Sequence, residues 1–271
     1  MDEQQHSLHL KQTFDTVSAG YDNPSLRFFP ESATLMAESL GLEGNERVLD
    51  VATGTGHAAL AIARLLPRGK VTAVDFSPGM LGRARGKAAS QNIRNIEFLE
   101  MDMRSLAFPG KRFDAAVCAF GIFFVEDMVS QLAGIASVVK PGGTIVTTGF
   151  REKSFEPLSS MMFARLETYG IKKPPGTWAR IDTGEKCVEL FESAGLTGIR
   201  VERKDIGYYL DGASGWWDVV WNGGFRGLVS RLAPEDQETF RKEHLEEVAT
   251  LETPDGIWLD VGVLITAGNK P

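Results

Sequence analysis

The sequence is poor in cysteine, in basic residues relative to acidic ones, and in long apolar runs. Its cysteines are Cys118 and Cys187, with no Cys-x-x-Cys pair and no Cys/His cluster, so we expect buried free thiols, a cytoplasmic setting and no metal site. The 29 basic and 36 acidic residues give a net charge of −7, which argues against nucleic acid or an anionic membrane as the main partner. No apolar run reaches about eighteen residues, and the polar stretch 1–12 is unlike a signal peptide, so no membrane segment is expected.

What the sequence does have is a regular alternation of short apolar runs with helical patterns. The apolar runs cover about residues 47–51, 70–75, 96–101, 113–119 and 144–148, and two more follow at about 199–209 and 257–266. Such alternation predicts an α/β fold, a doubly wound parallel sheet with helices on both faces.

The alternation also divides the chain into three segments. Residues 1–45 form an N-terminal helical segment, residues 46–150 hold the regular core, and residues 151–271 complete the core. Two irregular inserts, at about 151–182 and 211–253, interrupt the last segment. We interpret them as a helical lid over the sheet rather than as a separate domain.

Small and acidic residues follow the first two predicted strands. The loop Ala52-Thr53-Gly54-Thr55-Gly56 opens a helix near His57, so a ligand can approach its backbone and meet free N–H groups with a carboxylate or phosphate. Asp75 ends the second strand, where a carboxylate can accept both hydroxyls of a ribose. Capping the next helix is the alternative role, although Ser77 is better placed for it. Phe76 offers an apolar wall to an adenine ring, or is plain core.

A further acid, Asp102, follows the third predicted strand. It could accept a hydrogen bond from an adenine amino group while the Met103 N–H meets the ring, with a solvated turn acid as the alternative. Strand-end acids and a glycine loop at one edge of a parallel sheet predict a nucleoside-containing cofactor there.

These motifs resemble the class I S-adenosylmethionine-dependent methyltransferases. The family's acid-x-Gly/Ala-x-Gly-x-Gly pattern appears as residues 50–56, and a Lys-Pro-Gly-Gly run appears at 140–143. Residues 14–22 resemble the segment that opens the ubiquinone/menaquinone-biosynthesis type, in which the Tyr covers the cofactor. The resemblance implies a seven-stranded, mostly parallel, Rossmann-like sheet with its last strand antiparallel, and S-adenosylmethionine as cofactor. It implies these cofactor-binding residues: Tyr21, Asp50, Ala52, Thr53, Gly54, Gly56, Asp75, Phe76, Asp102, Met103 and Ala119.

The segment after the fourth strand indicates the kind of acceptor. Enzymes that methylate base amines carry an Asn/Asp-Pro-Pro-aromatic run there, whereas this chain has Phe120-Gly121-Ile122-Phe123-Phe124. We therefore expect a small, apolar or aromatic acceptor, walled also by Trp216, Trp217 and Trp221, with lid core as the alternative for these aromatics. A sulfonium methyl is already activated, so positioning dominates and no catalytic residue is assigned. His244 is a weak candidate for a base, and a buried structural histidine is its alternative.

Two other functions remain open from the sequence. Gly54-Thr55-Gly56-His57-Ala58-Ala59 also fits Gly-x-Gly-x-x-Ala, so an NAD-dependent oxidoreductase is one alternative, although no Tyr-x-x-x-Lys proton relay occurs. A non-catalytic S-adenosylmethionine-binding protein is the other. The expected partner is a small-molecule acceptor, and a homodimer is one option for assembly.

Overall fold

A seven-stranded sheet forms the centre of the molecule in the computed structural model, which describes residues 3–110, 112–173 and 178–271. The strand order is β3-β2-β1-β4-β5-β9-β6. All neighbouring pairs from β3 to β5 are parallel, and β9 runs antiparallel to both β5 and β6. The strands of this sheet are β1 Arg47–Val51, β2 Lys70–Asp75, β3 Ile96–Glu100, β4 Phe113–Ala119, β5 Val139–Phe150, β6 Thr197–Asp205 and β9 Gly262–Asn269. The predicted fold class, with its antiparallel last strand, is confirmed.

Helices cover the sheet because its central strands are apolar on both faces. In β1 every residue from Val48 to Val51 is buried, as expected for a strand sandwiched between two layers. The described α-helices are α1 Glu3–Val17, α2 Phe28–Ser39, α3 His57–Leu65, α4 Pro78–Ser90, α5 Met128–Ser137, α6 Leu158–Thr168, α7 Gly184–Ser193, α8 Gly212–Asn222, α9 Arg226–Val229 and α10 Pro234–Ala249. Among the described helices, none has the length and hydropathy needed to cross a membrane.

The sequence pattern placed the Lys-Pro-Gly-Gly run before the fifth strand, whereas in the structure the run lies inside that strand. Phe113 of β4 pairs with Val139 and Ala115 pairs with Thr144, so residues 140–143 form a bulge in β5. Glycine is required within this bulge, since a Cβ at Gly143 would lie 2.6 Å from the Asp114 carbonyl oxygen. The strand predicted at 144–148 therefore begins at Val139.

The last two predicted strands are each divided in two. A second, two-stranded antiparallel sheet pairs β7 Tyr208–Leu210 with β8 Ile257–Leu259, and these strands follow β6 and precede β9. Packing is close at the first division, where a Cβ at Gly207 would lie 2.6 Å from the Trp258 ring. Apolar residues lie on both sides of each division, so the sequence pattern alone indicated one long strand in each case.

The two predicted inserts contain α6 and α8 to α10. Arg165 of α6 forms ion pairs with Glu243 and Glu247 of α10, and Trp216 of α8 and Phe240 of α10 are fully buried. Residues 174–177, which carry the paired prolines of the first insert, lie outside the described residues. That these inserts act as a lid, and that the chain divides at 45 and 150, stay predictions.

Candidate active site at the carboxyl ends of the strands

A cavity of about 370 Å³ lies where β1, β2, β3 and β4 end. In the strand order, β2 and β4 flank β1 on opposite sides, which is the switch point at which doubly wound sheets bind ligands. Nine of the eleven residues predicted to bind the cofactor line this cavity: Tyr21, Ala52, Thr53, Gly54, Asp75, Phe76, Asp102, Met103 and Ala119. The volume falls in the range of small-molecule sites.

Left-handed backbone shapes the loop after β1. Ala52, Gly54 and Gly56 have φ angles of 56°, 55° and 87°. A Cβ at Gly54 would meet no atom within 4 Å, so this position is open toward the cavity, whereas a Cβ at Gly56 would lie 2.9 Å from the Ala84 Cβ. Gly54 thus permits a ligand to approach, and Gly56, which does not line the cavity, permits α3 and α4 to pack. The sequence showed that Ala52 must be small but not that it adopts a conformation costly for alanine.

Asp50 also lies behind the loop rather than in the cavity wall. It is fully buried, and the Thr53 hydroxyl donates to its Oδ2 at 2.5 Å, while Oδ1 has no hydrogen-bond partner among the described residues. Burial raises the pKa of the Asp50 carboxyl to about 7, against the opposing hydrogen bond from Thr53. Asp50 therefore supports the loop from its buried side through the hydrogen bond with Thr53, and its carboxyl is protonated below about pH 7.

Asp75 joins the loop to the start of α4. Its Oδ2 accepts the Gly54 N–H at 2.8 Å and its Oδ1 accepts the Ser77 N–H at 2.9 Å. Burial raises the pKa of Asp75 to about 6, although both backbone hydrogen bonds oppose the rise. Capping of α4 is performed by Ser77, whose Oγ accepts the Met80 N–H. The Asp75 carboxylate lines the cavity and, with about four acceptor positions in all, retains capacity for ligand hydroxyls.

Asp102 and Arg104 form a polar pair at the end of β3. Asp102 accepts the Arg104 backbone N–H at 2.9 Å at the start of a 3₁₀ turn, and the two side chains are ion-paired at 2.6 Å. Partial burial alone would raise the pKa of Asp102, but the hydrogen bonds from Arg104 hold it below its ordinary value. Arg104 also donates to Ser7 of α1 at 2.7 Å. Both the turn contact and the cavity position considered for Asp102 are present, whereas no sequence pattern indicated the contact with α1.

Aromatic rings from the N-terminal segment close part of the cavity. Tyr21 stacks on Phe29 with ring centres 4.9 Å apart, and Phe14 lies edge-on to Tyr21 and to Phe124. Burial raises the pKa of the Tyr21 hydroxyl above its ordinary value, so it stays a neutral phenol. Phe76 also lines the cavity, 6.4 Å from Phe14 between ring centres. The N-terminal segment is thus part of the wall.

The segment after β4 forms an apolar end of the same cavity. Phe120, Phe123 and Phe124 line it, as the sequence predicted. Phe120 has a φ of 52°, unusual for a bulky residue, and its N–H donates to the Thr148 carbonyl at 3.0 Å. Its ring packs on Phe29 and Phe150, at 5.4 and 4.5 Å between ring centres. Residues held in this conformation by their surroundings concentrate at functional sites.

The aromatic and histidine candidates of the second insert lie elsewhere. Trp216, Trp217, Trp221 and His244 are absent from the described residues that line the cavity. His244 is fully buried, its Nε2 accepts the Trp216 indole N–H at 2.8 Å, and burial lowers its pKa to about 4. The His244 ring lies in the core of the insert and not in the lining of this cavity, which favours the alternative of a buried structural histidine. The tryptophans also pack within the insert, where Trp216 contacts Phe225 and Trp217 stacks on Trp221.

The described residues contain no cluster of three His, Cys, Asp or Glu side chains arranged to hold a metal ion. Both cysteines are free and buried. The cavity is lined by the carboxylates of Asp75 and Asp102, the Tyr21 phenol, the His57 imidazole, the Arg104 guanidinium and aromatic walls, with Glu126 and Arg180 at its exposed edge.

Comparisons with known proteins identify the family. A family model described as a methyltransferase domain matches residues 48–143. Aklanonic acid methyltransferase DauC of Streptomyces is 30% identical over 213 residues, which are 74% of this chain and 97% of that protein. The ubiquinone/menaquinone biosynthesis C-methyltransferase UbiE of Coxiella burnetii is 32% identical over 161 residues, and the match spans 63% of its length. The crystal structure of YcgJ from Bacillus subtilis shares the fold, with a TM-score of 0.60 at 20% identity over 89% of this chain and 98% of that chain. The chain belongs to the class I S-adenosylmethionine-dependent methyltransferases.

Proposed function

We propose that the cavity binds S-adenosylmethionine and that the enzyme transfers its methyl group to a small, apolar or aromatic acceptor. One observation carries this proposal. The glycine loop, Asp75 and Asp102 share a single cavity with the aromatic end formed by Phe120, Phe123 and Phe124. A polar end suited to the cofactor and an apolar end suited to an acceptor are thus continuous.

The residues present fit the cofactor. Asp75 has acceptor capacity for the ribose hydroxyls, and Phe76 and Met103 supply apolar surface for adenine next to the Asp102 carboxylate. The open side of Gly54 and the first N–H groups of α3 suit the amino-acid part. When bound, the cofactor supplies an activated methyl on a sulfonium. The protein must hold the acceptor in line with it, since alignment contributes most to such a displacement.

The acceptor end favours a planar aromatic molecule. Phe29, Phe120, Phe123 and Phe124 expose ring surface there, and Tyr21 presents a phenol that stays protonated at neutral pH and so cannot act as a base. Two relatives act, by their names, on aklanonic acid and in ubiquinone/menaquinone biosynthesis. We therefore propose an aromatic acceptor methylated at oxygen or carbon, in a reducing cytoplasm. Identifying the methylated product in an acceptor screen would show which atom receives the methyl group.

The test is a turnover screen that measures S-adenosylhomocysteine release and product mass. The panel pairs aromatic acids, phenols and quinols with polar aliphatic amines of similar size. The proposal predicts methylated products among the aromatic compounds and none among the amines. It also predicts that Phe120→Ala raises KM for the aromatic acceptor with little change in cofactor affinity, whereas Tyr209→Ala, at an exposed ring outside the cavity lining, changes neither. Turnover of amines alone would contradict the aromatic acceptor.

A further inference from the structure

The side chain of Asp22 ties the N-terminal segment to the core. Its Oδ1 accepts hydrogen bonds from Thr55 Oγ1 at 2.7 Å and from Lys87 Nζ at 2.6 Å, and lies 3.0 Å from His57 Nε2. Thr55 and His57 stand on either side of Gly56, where the glycine loop becomes α3, and Lys87 belongs to α4. One carboxylate therefore holds the loop and a core helix at the same time.

This contact is charged and only about one-fifth exposed. The exposed fractions of the Asp22, His57 and Lys87 side chains are 19%, 22% and 22%. Burial alone would raise the pKa of Asp22, but hydrogen bonds from His57, Lys87 and Thr55 hold it well below its usual range. The carboxylate is thus ionised at neutral pH, and a partly buried pair is screened by salt less than a free surface pair.

A second carboxylate of the segment makes a different kind of contact. Asp15 Oδ1 accepts from the Ser77 hydroxyl at 2.5 Å and from the Gly79 N–H at 3.1 Å, both neutral donors at the start of α4. Asp15 fixes the end of α1, whereas Asp22 comes directly after Tyr21, whose ring lines the cavity. Asp22 therefore differs from Asp15 in joining the Tyr21 part of the wall to the glycine loop, and in doing so through charged partners.

We propose that Asp22 is a positioning residue that clamps the N-terminal segment against the glycine loop and so sets how long the cofactor stays bound. This inference rests on the function proposed above. Phe14 and Tyr21 belong to the same wall, so moving that wall away from the cavity requires the contacts of Asp22 with Thr55, His57 and Lys87 to break. Loss of the clamp accelerates dissociation more than it slows association.

The test measures the dissociation rate of radiolabelled S-adenosylhomocysteine by displacement with excess unlabelled compound. Asp22→Asn should speed dissociation about tenfold or more, the effect of losing a hydrogen bond to a charged group. Asp22→Glu should recover part of the loss, and Lys87→Met should act in the same direction. The double variant of Asp22→Asn and Lys87→Met should dissociate no faster than the faster single one. Glu38→Gln, an exposed acid on α2, is the matched control and should change nothing.

Further readouts separate a clamp from a general loss of stability. Raising salt from about 0.1 M to about 1 M should speed dissociation from the unaltered protein more than from Asp22→Asn. If Asp22→Asn fails to fold, Lys87→Met tests the same contact from the core side. Unchanged dissociation rates in the folded variants, with tight binding by the unaltered protein, overturn the clamp alone. Absence of binding by the unaltered protein overturns the proposed function and the clamp with it.

Discussion

Asp50 gives a prediction whose size follows from its burial. Its carboxyl ionises near 3.8 in the unfolded chain and near 7 in the folded protein, because burial disfavours its charge. Between these pH values the folded state holds a proton that the unfolded state has lost, so the free energy of unfolding falls as pH rises through the window. At about 1.4 kcal/mol per pKa unit, the full loss is about 4 kcal/mol above pH 7, of which about 2–3 kcal/mol falls between pH 5 and pH 8.

Asp50→Asn removes this titration. The asparagine carbonyl can still accept from Thr53, while its amide N–H lacks an acceptor and lowers stability by a roughly pH-independent 1–3 kcal/mol. Relative to the unaltered protein, the variant should therefore gain about 2–3 kcal/mol in unfolding free energy from pH 5 to pH 8. Urea unfolding at four pH values measures it, with the exposed Asp255→Asn as control. Parallel pH profiles for the unaltered protein and Asp50→Asn would refute the reasoning.

The other predictions concern the loop, the ribose site and the insert. Ala52→Gly should raise the unfolding free energy by up to about 1 kcal/mol by relieving left-handed strain, whereas Gly56→Ala should lower it by about 2–4 kcal/mol through strain and overpacking; a thermal shift opposite in sign would contradict either. Asp75→Ala should weaken cofactor binding by about 1–3 kcal/mol in titration calorimetry, and unchanged affinity would remove its ribose role. His244→Ala should lower unfolding free energy by about 3–5 kcal/mol while leaving cofactor affinity unchanged, because it leaves a cavity and an unpaired Trp216 N–H; weakened cofactor binding in a folded variant would count against this.

The convergence of the glycine loop and the strand-end acids on one cavity was the part that local sequence pattern could predict. Parallel strands bring their carboxyl ends to one edge, so the residues after β1, β2, β3 and β4 had to converge once the strands were found. Asp75 and Asp102 are examples, separated in sequence but lining one cavity. Only the ends of the strands have to be located in the sequence, because the parallel sheet brings those ends together.

What the sequence could not supply depends on contacts between distant segments. A helical pattern shows that His244 is on an apolar face but not whether that face meets the cavity or the core of the insert. The pairing of Asp22 with Lys87, and of Arg104 with Ser7, joins segments far apart in the chain, and no local spacing marks them. The φ angle of Ala52 is likewise invisible, because alanine gives no sign of left-handed backbone.

The identity of the cofactor is tested most directly by calorimetric titration of the protein with S-adenosylmethionine, S-adenosylhomocysteine and NADH in parallel. If the cavity is an S-adenosylmethionine site, the first two compounds should show saturable one-site binding and NADH should not bind. Binding of NADH without the other two would contradict that assignment and make Asp75 a ligand of a dinucleotide ribose.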